Sequence, residues 1–429
     1  MDNYHNKSIA YIVGNMKRNK KSGIYIDLFS GCGGLSLGLG NAGWKGVFAI
    51  EKDSMAFETF KHNLIDGKYN HFDWPKWLPQ KATTIQTVLK NHKEELNALR
   101  GKVDLIAGGP PCQGFSLAGQ RNPNDPRNKL SNQYMKMVEI VNPKYLVLEN
   151  VRGFNSVFKD VKGIKGKTPY SMIVKAKLEK LGYAIFTDYV NTQEFGVPQQ
   201  RTRFIMIGIR NDIIQTETNP FQTIEELKPV FLKDKGLSNK PVSVKSAIGD
   251  LEVSSSELIH HSGSEISGFK KINYVPPKKL NAYQKIMRKG LNGLRPNGLR
   301  LPRHKNSTIE KFKLIQAICR PGLCLNDEEK RIIGTKKHST SVLNPKKPSK
   351  TLTTLPDDLL HYSEPRILTV RESARIQSFP DDFVFKGKYT TGGKQRTKEC
   401  PRYTQVGNAV PPLLGEVLGL LIVSLQKDQ

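Results

Sequence analysis

Cysteine, histidine clusters and long apolar runs are all scarce in this chain. Five cysteines occur among 429 residues and none forms a C-x-x-C pair, which argues against a disulfide scaffold or a structural zinc site and favours a reducing compartment. The adjacent His260 and His261 would point apart on a strand, so no metal is expected. No apolar run approaches the roughly 20 residues of a membrane span and no targeting signal is present, so we expect a cytoplasmic protein without a membrane partner.

Acidic residues are also few, 39 against 67 lysines and arginines, which gives a net charge of +28. Such an excess favours a polyanionic partner, because each basic side chain that neutralises a phosphate releases condensed counterions. Simple solubility is the alternative reading of this charge. The length exceeds that of one ordinary domain, and we expect two domains.

Short apolar runs bounded by glycine or proline alternate with helix-like stretches in the first half of the chain. The candidate strands are Ile24–Phe29, Gly46–Ile50, Val103–Ala107, Tyr145–Glu149, Ala184–Val190 and Phe204–Ile209. This alternation predicts an α/β fold with a doubly wound, mostly parallel sheet. In that architecture ligands lie at the carboxyl ends of the strands.

Changes in composition divide the chain into four predicted segments. Residues 1–22 are a basic N-terminal arm, and residues 23–210 form the sheet domain. Residues 211–350 are rich in lysine, asparagine and glycine, and predict a smaller domain of loops and short strands. Residues 351–429 return to the sheet domain through an apparent strand and helix over Arg366–Phe379 and a helix over Leu413–Leu425.

The segment Asp27–Leu35, with the sequence DLFSGCGGL, follows the first strand directly. Its glycines allow a sharp turn and the close approach of a ligand, although a tight strand-to-helix turn is the alternative. Glu51 ends the next strand, where an acidic side chain can accept both hydroxyls of a ribose. The spacing is G-x-G-G rather than G-x-G-x-x-G, which favours an uncharged adenosyl ligand over a pyrophosphate.

Cys112 lies in the segment Gly108–Ser116, with the sequence GGPPCQGFS, after the third strand. The two prolines stiffen the loop and hold the thiol at the edge of the sheet. Most free cysteines are small buried hydrophobes, but this one is in a polar, glycine-flanked loop. Its thiolate would be the reactive form, and a nearby cation should lower its pKa.

Three further charged residues follow at strand ends. Glu149 closes an apolar strand and could hold a proton for a ring nitrogen, or it could cap the next turn. Arg201 and Arg203, two residues apart, would point to one face of a strand and bring cations to a thiolate or a phosphate. A surface charge pair is the alternative for the arginines.

In this order the segments resemble the cytosine-5 DNA methyltransferase family, of the bacterial restriction–modification type. Arg366–Arg375 and Gly407–Pro412 look like the last two motifs of that family. The resemblance covers about 24–210 and 348–425. It implies the fold of class I S-adenosylmethionine-dependent methyltransferases, a target-recognition domain over 211–350, and a monomer that methylates carbon 5 of a flipped-out cytosine in double-stranded DNA.

The resemblance implies a role for each matched residue. Cys112 is the nucleophile, Glu149 contacts ring nitrogen 3 of cytosine, and Arg201 and Arg203 brace the loop, the cytosine oxygen or a phosphate. The implied S-adenosylmethionine residues are Phe29, Ser30, Gly31, Gly33, Gly34, Leu35, Glu51, Lys52, Ile85, Asn408 and Val410. The implied DNA-side residues are Gln113, Ser116 and Thr351. Thr84 stands where the family usually has an aspartate that bonds the adenine amino group.

Three other functions remain open at this point. A methyltransferase of the same scaffold acting on transfer RNA is the nearest, and the long basic segment 211–350 favours DNA over it. A catalytically silent DNA-binding protein would not need Cys112, Glu149 and both arginines together. A nicotinamide-dependent oxidoreductase would fit the glycine turn and Glu51, but it leaves the Pro-Pro-Cys-Gln loop and the positive charge without a role.

Overall fold

The structure is a computed structural model of the chain. It describes residues 22–111, 129–157, 168–215, 219–253, 257–261, 268–291, 293–337, 339–391, 395 and 398–427. Two compact units are present. The first unit comprises the described parts of Met1–Asn191, Thr202–Phe231 and Leu414–Gln429, and the second unit comprises those of Thr192–Arg201 and Leu232–Leu413. The predicted arm of residues 1–22 lies almost wholly outside the described residues.

A six-stranded sheet organises the first unit. Its strands are β1 (Ile24–Leu28), β2 (Lys45–Ile50), β3 (Leu105–Gly108), β4 (Tyr145–Val151), β5 (Tyr183–Asn191) and β7 (Thr202–Arg210), in the order β2-β1-β3-β4-β7-β5. The first four strands are mutually parallel, and β7 runs antiparallel to both β4 and β5. The predicted α/β fold with a mostly parallel sheet is confirmed, and every one of the six candidate strands is present.

Helices cover the sheet and complete its core. They are α1 (Gly34–Asn41), α2 (Ser54–Phe60), a π-helix (Lys61–Ile65), α3 (Ile85–Asn91), α4 (Lys93–Ala98), α5 (Lys129–Val141) and α6 (Tyr170–Lys180). Side chains of β1, β3 and β4 share one buried cluster with those of α3, α5 and α6. Strands covered in this way read as near-continuous apolar runs, which is why their positions are visible in the sequence.

The last helix of the described chain also belongs largely to this unit. It spans Pro412–Lys427, and from Leu414 onward it packs beside α1. A Cβ at Gly415 would lie 2.9 Å from the carbonyl oxygen of Leu35, so glycine permits the close approach of the two helices. The stretch Arg402–Gln426 is long and apolar enough to cross a membrane. However, 89% of its most apolar part is buried inside the protein, as is usual for a core helix of a globular protein.

Short elements build the second unit. Its strands pair as β6 (Gln199–Gln200) with β11 (Ser349–Lys350), β8 (Glu257–His260) with β9 (Lys270–Asn273), and β10 (Ser341–Val342) with β12 (Leu359–Leu360). Its helices are Val244–Ile248, Ala282–Met287, Asn306–Ile318, Asp327–Ile333, Val370–Ile376 and Arg402–Asn408, and helix Pro220–Asp234 leads into it from the first unit.

Two expectations for the second half of the chain need correction. Residues Arg366–Thr369 form no strand apart from one isolated bridge at Ile367, because Thr369 already caps the helix Val370–Ile376 through its side chain. Asn306–Ile318 is a regular helix inside a region expected to hold loops and short strands, and it packs against a core of its own. The assignment of target recognition to residues 211–350 stays a prediction.

Candidate functional site

The glycine turn after β1 adopts backbone conformations that suit close contact with a ligand. Phe29, Gly31 and Gly33 have φ angles of 64°, 56° and 94°, in the left-handed region. At Gly33, a Cβ would lie 2.4 Å from the Leu64 side chain, so only glycine fits. Gly34 and Leu35 are buried at the start of α1, so they shape the turn and hold it against the core.

Glu51, at the end of β2, holds this turn. One carboxylate oxygen accepts a hydrogen bond from the Gly31 amide at 3.0 Å, and the other accepts one from the Asp53 amide at 2.7 Å. Burial raises the pKa of Glu51 above its ordinary value, and the hydrogen bonds from these two amides offset only part of the rise. Each oxygen of a carboxylate can accept more than one hydrogen bond, so Glu51 can still accept from the hydroxyls of a ribose.

Asp27 is a buried carboxylate beside this turn, and it was not predicted to be a site residue. The Ser36 hydroxyl donates to its Oδ2 at 2.6 Å, whereas Oδ1 has no partner among the described residues. Burial raises the pKa of Asp27 to about 7, the Ser36 hydroxyl lowers it and the charge of Glu51 raises it. Its signal was a charged residue inside an otherwise apolar strand. A buried oxygen without a partner suits a polar ligand such as an adenosyl group.

The remaining residues proposed for the cofactor differ in placement. Ser30 is buried, and its hydroxyl has no partner among the residues that the structure describes. Lys52 is exposed, whereas Ile85 is buried in the core of the sheet. Thr84 is the N-cap of α3, where its hydroxyl oxygen accepts a hydrogen bond from the Thr87 amide at 3.1 Å. Thr84 therefore has a structural role.

Glu149 and Arg203 meet at the edge of the sheet where β4 ends. The Arg203 Nε lies 2.7 Å from Glu149 Oε1, and both side chains are largely buried. The pairing of the strands places Val151 opposite Arg203. Since residues two apart on a strand share a face, Glu149 is a diagonal neighbour of Arg203 on that face.

The stem of the Cys112 loop lies beside Glu149. A Cβ at Gly109 would be 3.1 Å from Glu149 Oε2, so glycine leaves room for the carboxylate. Asn150, buried next in the chain, donates from Nδ2 to the Pro110 carbonyl at 3.2 Å. Cys112, Gln113 and Ser116 lie outside the described residues, whereas Gly109 and Pro110, just before them, belong to the first unit.

Arg201 and Arg203, expected to act as one cationic pair, make different hydrogen bonds and ion pairs. Arg201 lies between β6 and β7 and belongs to the second unit. Its guanidinium is buried and donates to the carbonyls of Leu352 at 3.2 Å and Gly407 at 3.1 Å. Arg201 thus joins Leu352 to Gly407, at the start of the motif Gly407–Pro412, although both are far from it along the chain.

Two glutamines, neither of which was predicted to have a role, reinforce this junction. Gln199 accepts from the Leu352 amide at 2.8 Å and donates to Gln377 at 2.7 Å. Gln377 in turn donates to the Val406 carbonyl at 2.7 Å. Because all of these groups are buried, their hydrogen bonds fix Gln199, Leu352, Gln377 and Val406 relative to one another.

The other predicted residues of the second unit are more accessible. Thr351 is exposed, and its hydroxyl donates to the Gln200 carbonyl at 2.8 Å. Asn408 is exposed at the end of its helix, and Val410 is half-buried just beyond it.

The motif Arg366–Arg375 is structural. Arg366 donates to both oxygens of Glu372 at 2.8 Å. Burial alone would raise the pKa of Glu372. The charge and hydrogen bonds of Arg366 outweigh this effect and lower the pKa to about 2. Arg375 is fully buried between Asp250 and Asp381. Buried arginines paired in this way hold a loop-rich unit in one conformation.

An open, mostly parallel sheet with a glycine turn after its first strand and an acidic residue after its second is typical of enzymes that bind an adenosyl group or a nucleotide. Residues 24–424 match the family model of the C-5 cytosine-specific DNA methylases. The chain belongs to this family, which confirms the resemblance, and it is a DNA cytosine-5 methyltransferase. Family membership implies S-adenosylmethionine as the methyl donor and DNA as the substrate.

Individual relatives agree with this assignment. The chain is 32% identical to the type II methyltransferase M.DdeI of Desulfomicrobium norvegicum, over 92% of this chain and 86% of the relative. It is 31% identical to the type II methyltransferase M1.HphI of Haemophilus parahaemolyticus, over 94% and 88% respectively.

Solved structures support the fold. A chain described as a DNA modification methyltransferase encoded within a prophage, from E. coli, superposes with a TM-score of 0.62 at 22% identity, covering 94% of this chain and 99% of that one. The Dnmt2 methyltransferase of S. pombe superposes with a TM-score of 0.52 at 16% identity, covering 95% and 99%.

Proposed function

We propose that the chain methylates carbon 5 of a flipped-out cytosine by covalent catalysis through Cys112. Carbon 5 of cytosine is part of an electron-poor ring and does not attack a methyl donor unaided. Addition of the Cys112 thiolate to carbon 6 makes carbon 5 nucleophilic. After methyl transfer, loss of the carbon 5 proton expels the thiolate. The base must leave the duplex for this, at a cost of a few kcal/mol.

Glu149 is the group that would act on ring nitrogen 3. The observation that carries this proposal is the 2.7 Å pair between Glu149 and Arg203, at the strand edge beside the stem of the Cys112 loop. Arg203 orients the carboxylate, whose Oε2 faces Gly109. A proton shared between Glu149 and nitrogen 3 during the reaction would stabilise the charge that develops when the thiolate adds.

The glycine turn of the first unit would hold the methyl donor. S-adenosylmethionine supplies an electrophilic methyl group when it is bound. Glu51 would accept from its ribose, while Phe29, Gly31 and Gly33 form the close-approach turn. Asp27 Oδ1 and the Ser30 hydroxyl, which have no hydrogen-bond partner among the described residues, offer further polar contacts. Asn408 and Val410 remain proposed as cofactor residues on the basis of the resemblance alone.

A cluster of cations and aromatic rings in the second unit supports a role in holding DNA. The Arg300 guanidinium lies 3.9 Å from the centre of the Phe269 ring and 3.4 Å from that of Tyr389, and Arg402 lies 4.3 Å from Tyr389. Among the described residues no carboxylate forms an ion pair with Arg300 or Arg402. Stacking fixes the guanidiniums without neutralising them, so they can contact the phosphates of a duplex.

The relatives named type II methyltransferases suggest a biological role. We propose that this chain protects host DNA from a cognate restriction enzyme by methylating the sequence that the enzyme recognises. Expression in a methylation-free host, followed by mapping of 5-methylcytosine across the DNA, tests both activity and target sequence. Methylated cytosines scattered without a common sequence would contradict this role.

The catalytic proposal is tested by covalent capture. Duplex DNA carrying 5-fluorocytosine at the target should form a denaturant-stable adduct with the protein in the presence of S-adenosylmethionine, because the fluorine cannot leave as the proton does. The Cys112→Ser variant should form no adduct and no product, while it still binds DNA and cofactor. The Cys400→Ser variant is the matched control and should behave as wild type. An adduct that persists in Cys112→Ser would overturn the assignment.

A further inference from the structure

A lysine and a cysteine of the second unit are in unusually close contact. The Nζ of Lys350, on β11, lies 2.7 Å from the Sγ of Cys324. This is shorter than a typical N–H···O hydrogen bond of about 2.9–3.0 Å, although sulfur is larger than oxygen. In the part of the chain that the structure describes, no carboxylate pairs with Lys350.

The pair borders a small cavity of about 250 Å³, and Gln200, Ser339, Thr351 and Asp358 are among the residues that line it. Cys324 is a half-buried free thiol, and its other contact is the Ser339 carbonyl at 3.9 Å. A small polar molecule can therefore reach the sulfur through the cavity. The positive charge of Lys350 lies at hydrogen-bonding distance from the same sulfur atom.

Cys319, five residues earlier, is a thiol in contrasting surroundings, where we expect it to be unreactive. It is 5% exposed, and its sulfur contacts the backbone carbonyls of Arg320 and Leu323 at 3.6 and 3.7 Å. Burial raises the pKa of Cys319. A buried thiol of this kind is protected from oxidation, because the thiolate is the form that reacts.

We propose that Cys324 and Lys350 form an oxidative modification site, in which a peroxide converts the contact into a covalent sulfur–nitrogen bridge. The Cys324 thiolate attacks one peroxide oxygen and the O–O bond breaks, which gives a sulfenic acid and hydroxide. The Lys350 ammonium protonates this hydroxide to water and becomes a neutral amine. Sulfur is oxidised by two electrons and the peroxide is reduced by two.

The amine then attacks the sulfenic sulfur. The S–N bond forms, the S–O bond breaks, and the hydroxyl group leaves as a second water molecule with a proton from the amine. Nitrogen attack on a sulfenic acid is established chemistry for backbone amides, and here the nucleophile already lies in contact with the sulfur. A thiol reductant reverses the bridge by attacking sulfur and expelling the amine.

The bridge would change both the charge and the rigidity of this region. It removes the positive charge of Lys350, the residue before Thr351, and it ties together two segments 26 residues apart. If Thr351 lies beside DNA as proposed above, oxidation would also weaken the hold on the duplex. The modification itself does not depend on that role.

The site is tested on the full-length protein without DNA or cofactor. Hydrogen peroxide is added, and the products are mapped by peptide mass spectrometry under non-reducing conditions. We expect a cross-linked peptide pair that joins Cys324 to Lys350, lighter than the sum of its parts by two hydrogen atoms and lost after addition of dithiothreitol. Because this readout is a mass, it is independent of methyltransferase activity.

Three variants make the result specific. Lys350→Arg keeps the positive charge but should lose the cross-link, while a dimedone adduct shows that the sulfenic acid still forms at Cys324. Cys324→Ser should lose both signals, and Cys319→Ser should keep the cross-link. Irreversible oxidation of wild-type Cys324 without any cross-link would overturn the proposal. A bridge that retains an oxygen atom would overturn the direct attack by nitrogen.

Discussion

Glu149 and Arg203 form a largely buried ion pair, with 2.7 Å between Oε1 and Nε, although 54 positions of the chain separate them. The pair exists because β7 is reversed relative to β4. An antiparallel strand begins where its parallel neighbours end, so Arg203 enters the edge of the sheet at which Glu149, Glu51 and the glycine turn are already placed.

Loss of Arg203 should therefore affect both stability and activity. We expect Arg203→Ala to lower the free energy of unfolding by about 1–3 kcal/mol, because it leaves the Glu149 carboxylate buried and unpaired. Loss of the orientation of Glu149 should reduce kcat by about 10²-fold or more. Urea denaturation and a methyl-transfer assay measure the two effects.

The control for this prediction is Arg210→Ala, which breaks a pair with the exposed Asp212. It should cost about 1 kcal/mol of stability or less. An Arg203→Ala variant as active as wild type would contradict the role of the pair.

The raised pKa of Asp27 predicts a particular pH dependence of stability. Burial raises this pKa to about 7, above the unfolded value of about 3.9. Stability from the protonated form is therefore fully present below about pH 4 and is lost as the pH rises through about 7. Asp27→Asn removes this titration. As the pH rises from about 4 to about 7, the free energy of unfolding of the variant should therefore increase relative to that of wild type by up to about 4 kcal/mol. Urea denaturation across the range measures it. Parallel stability curves for the two proteins would rule out the raised pKa.

The Arg300 cluster should contribute to DNA binding through phosphates rather than through sequence. We expect Arg300→Ala to weaken binding to target and non-target duplexes by similar factors, and to reduce the slope of log K against log salt by about one. Fluorescence anisotropy at several salt concentrations measures both. Lys136→Ala, which removes an exposed cation paired with Glu139 in the first unit, serves as the control. A loss confined to the target sequence would instead indicate that Arg300 reads bases.

Thr84 should prove exchangeable with aspartate. Thr84→Ala removes the N-cap of α3 and should cost about 1 kcal/mol of stability, while Thr84→Asp retains a good capping residue and should cost little. Thermal unfolding of both variants checks this. Equal destabilisation by alanine and aspartate would show that the cap contributes nothing.

Sequence patterns located the sheet well because most of its strands are largely buried and therefore apolar. They could not assign strand direction, since an apolar run reads the same in a parallel or an antiparallel strand, and so the origin of the Glu149–Arg203 pair was not predictable. Arg201 and Arg203 were expected to act as one pair on the basis of their spacing. The chain leaves β6 at Arg201 and starts β7 at Thr202, and this break gives the two guanidiniums different partners.

The polar core of the second unit was the hardest part to predict. Gln199, Gln377 and Arg375 are residue types that usually face solvent. They are buried here because long-range partners satisfy them, and such partners leave no local pattern in the sequence. The role of Asp27 was not predicted for a related reason. This carboxylate was treated only as the first residue of the glycine turn, and the sequence does not show that its side chain is buried in the strand.

The packing of the last helix has a consequence for how the protein is made. The indole of Trp44 donates a hydrogen bond to the carbonyl of Gly419, 375 residues later in the chain. During synthesis, α1 and Trp44 leave the ribosome before the helix Pro412–Lys427, which packs against them in the folded protein, has been made. The first unit is therefore among the first parts to be synthesised and among the last to finish folding. A nascent chain stalled before Leu414 would leave the packing surface of α1 and Trp44 open to chaperones and to aggregation.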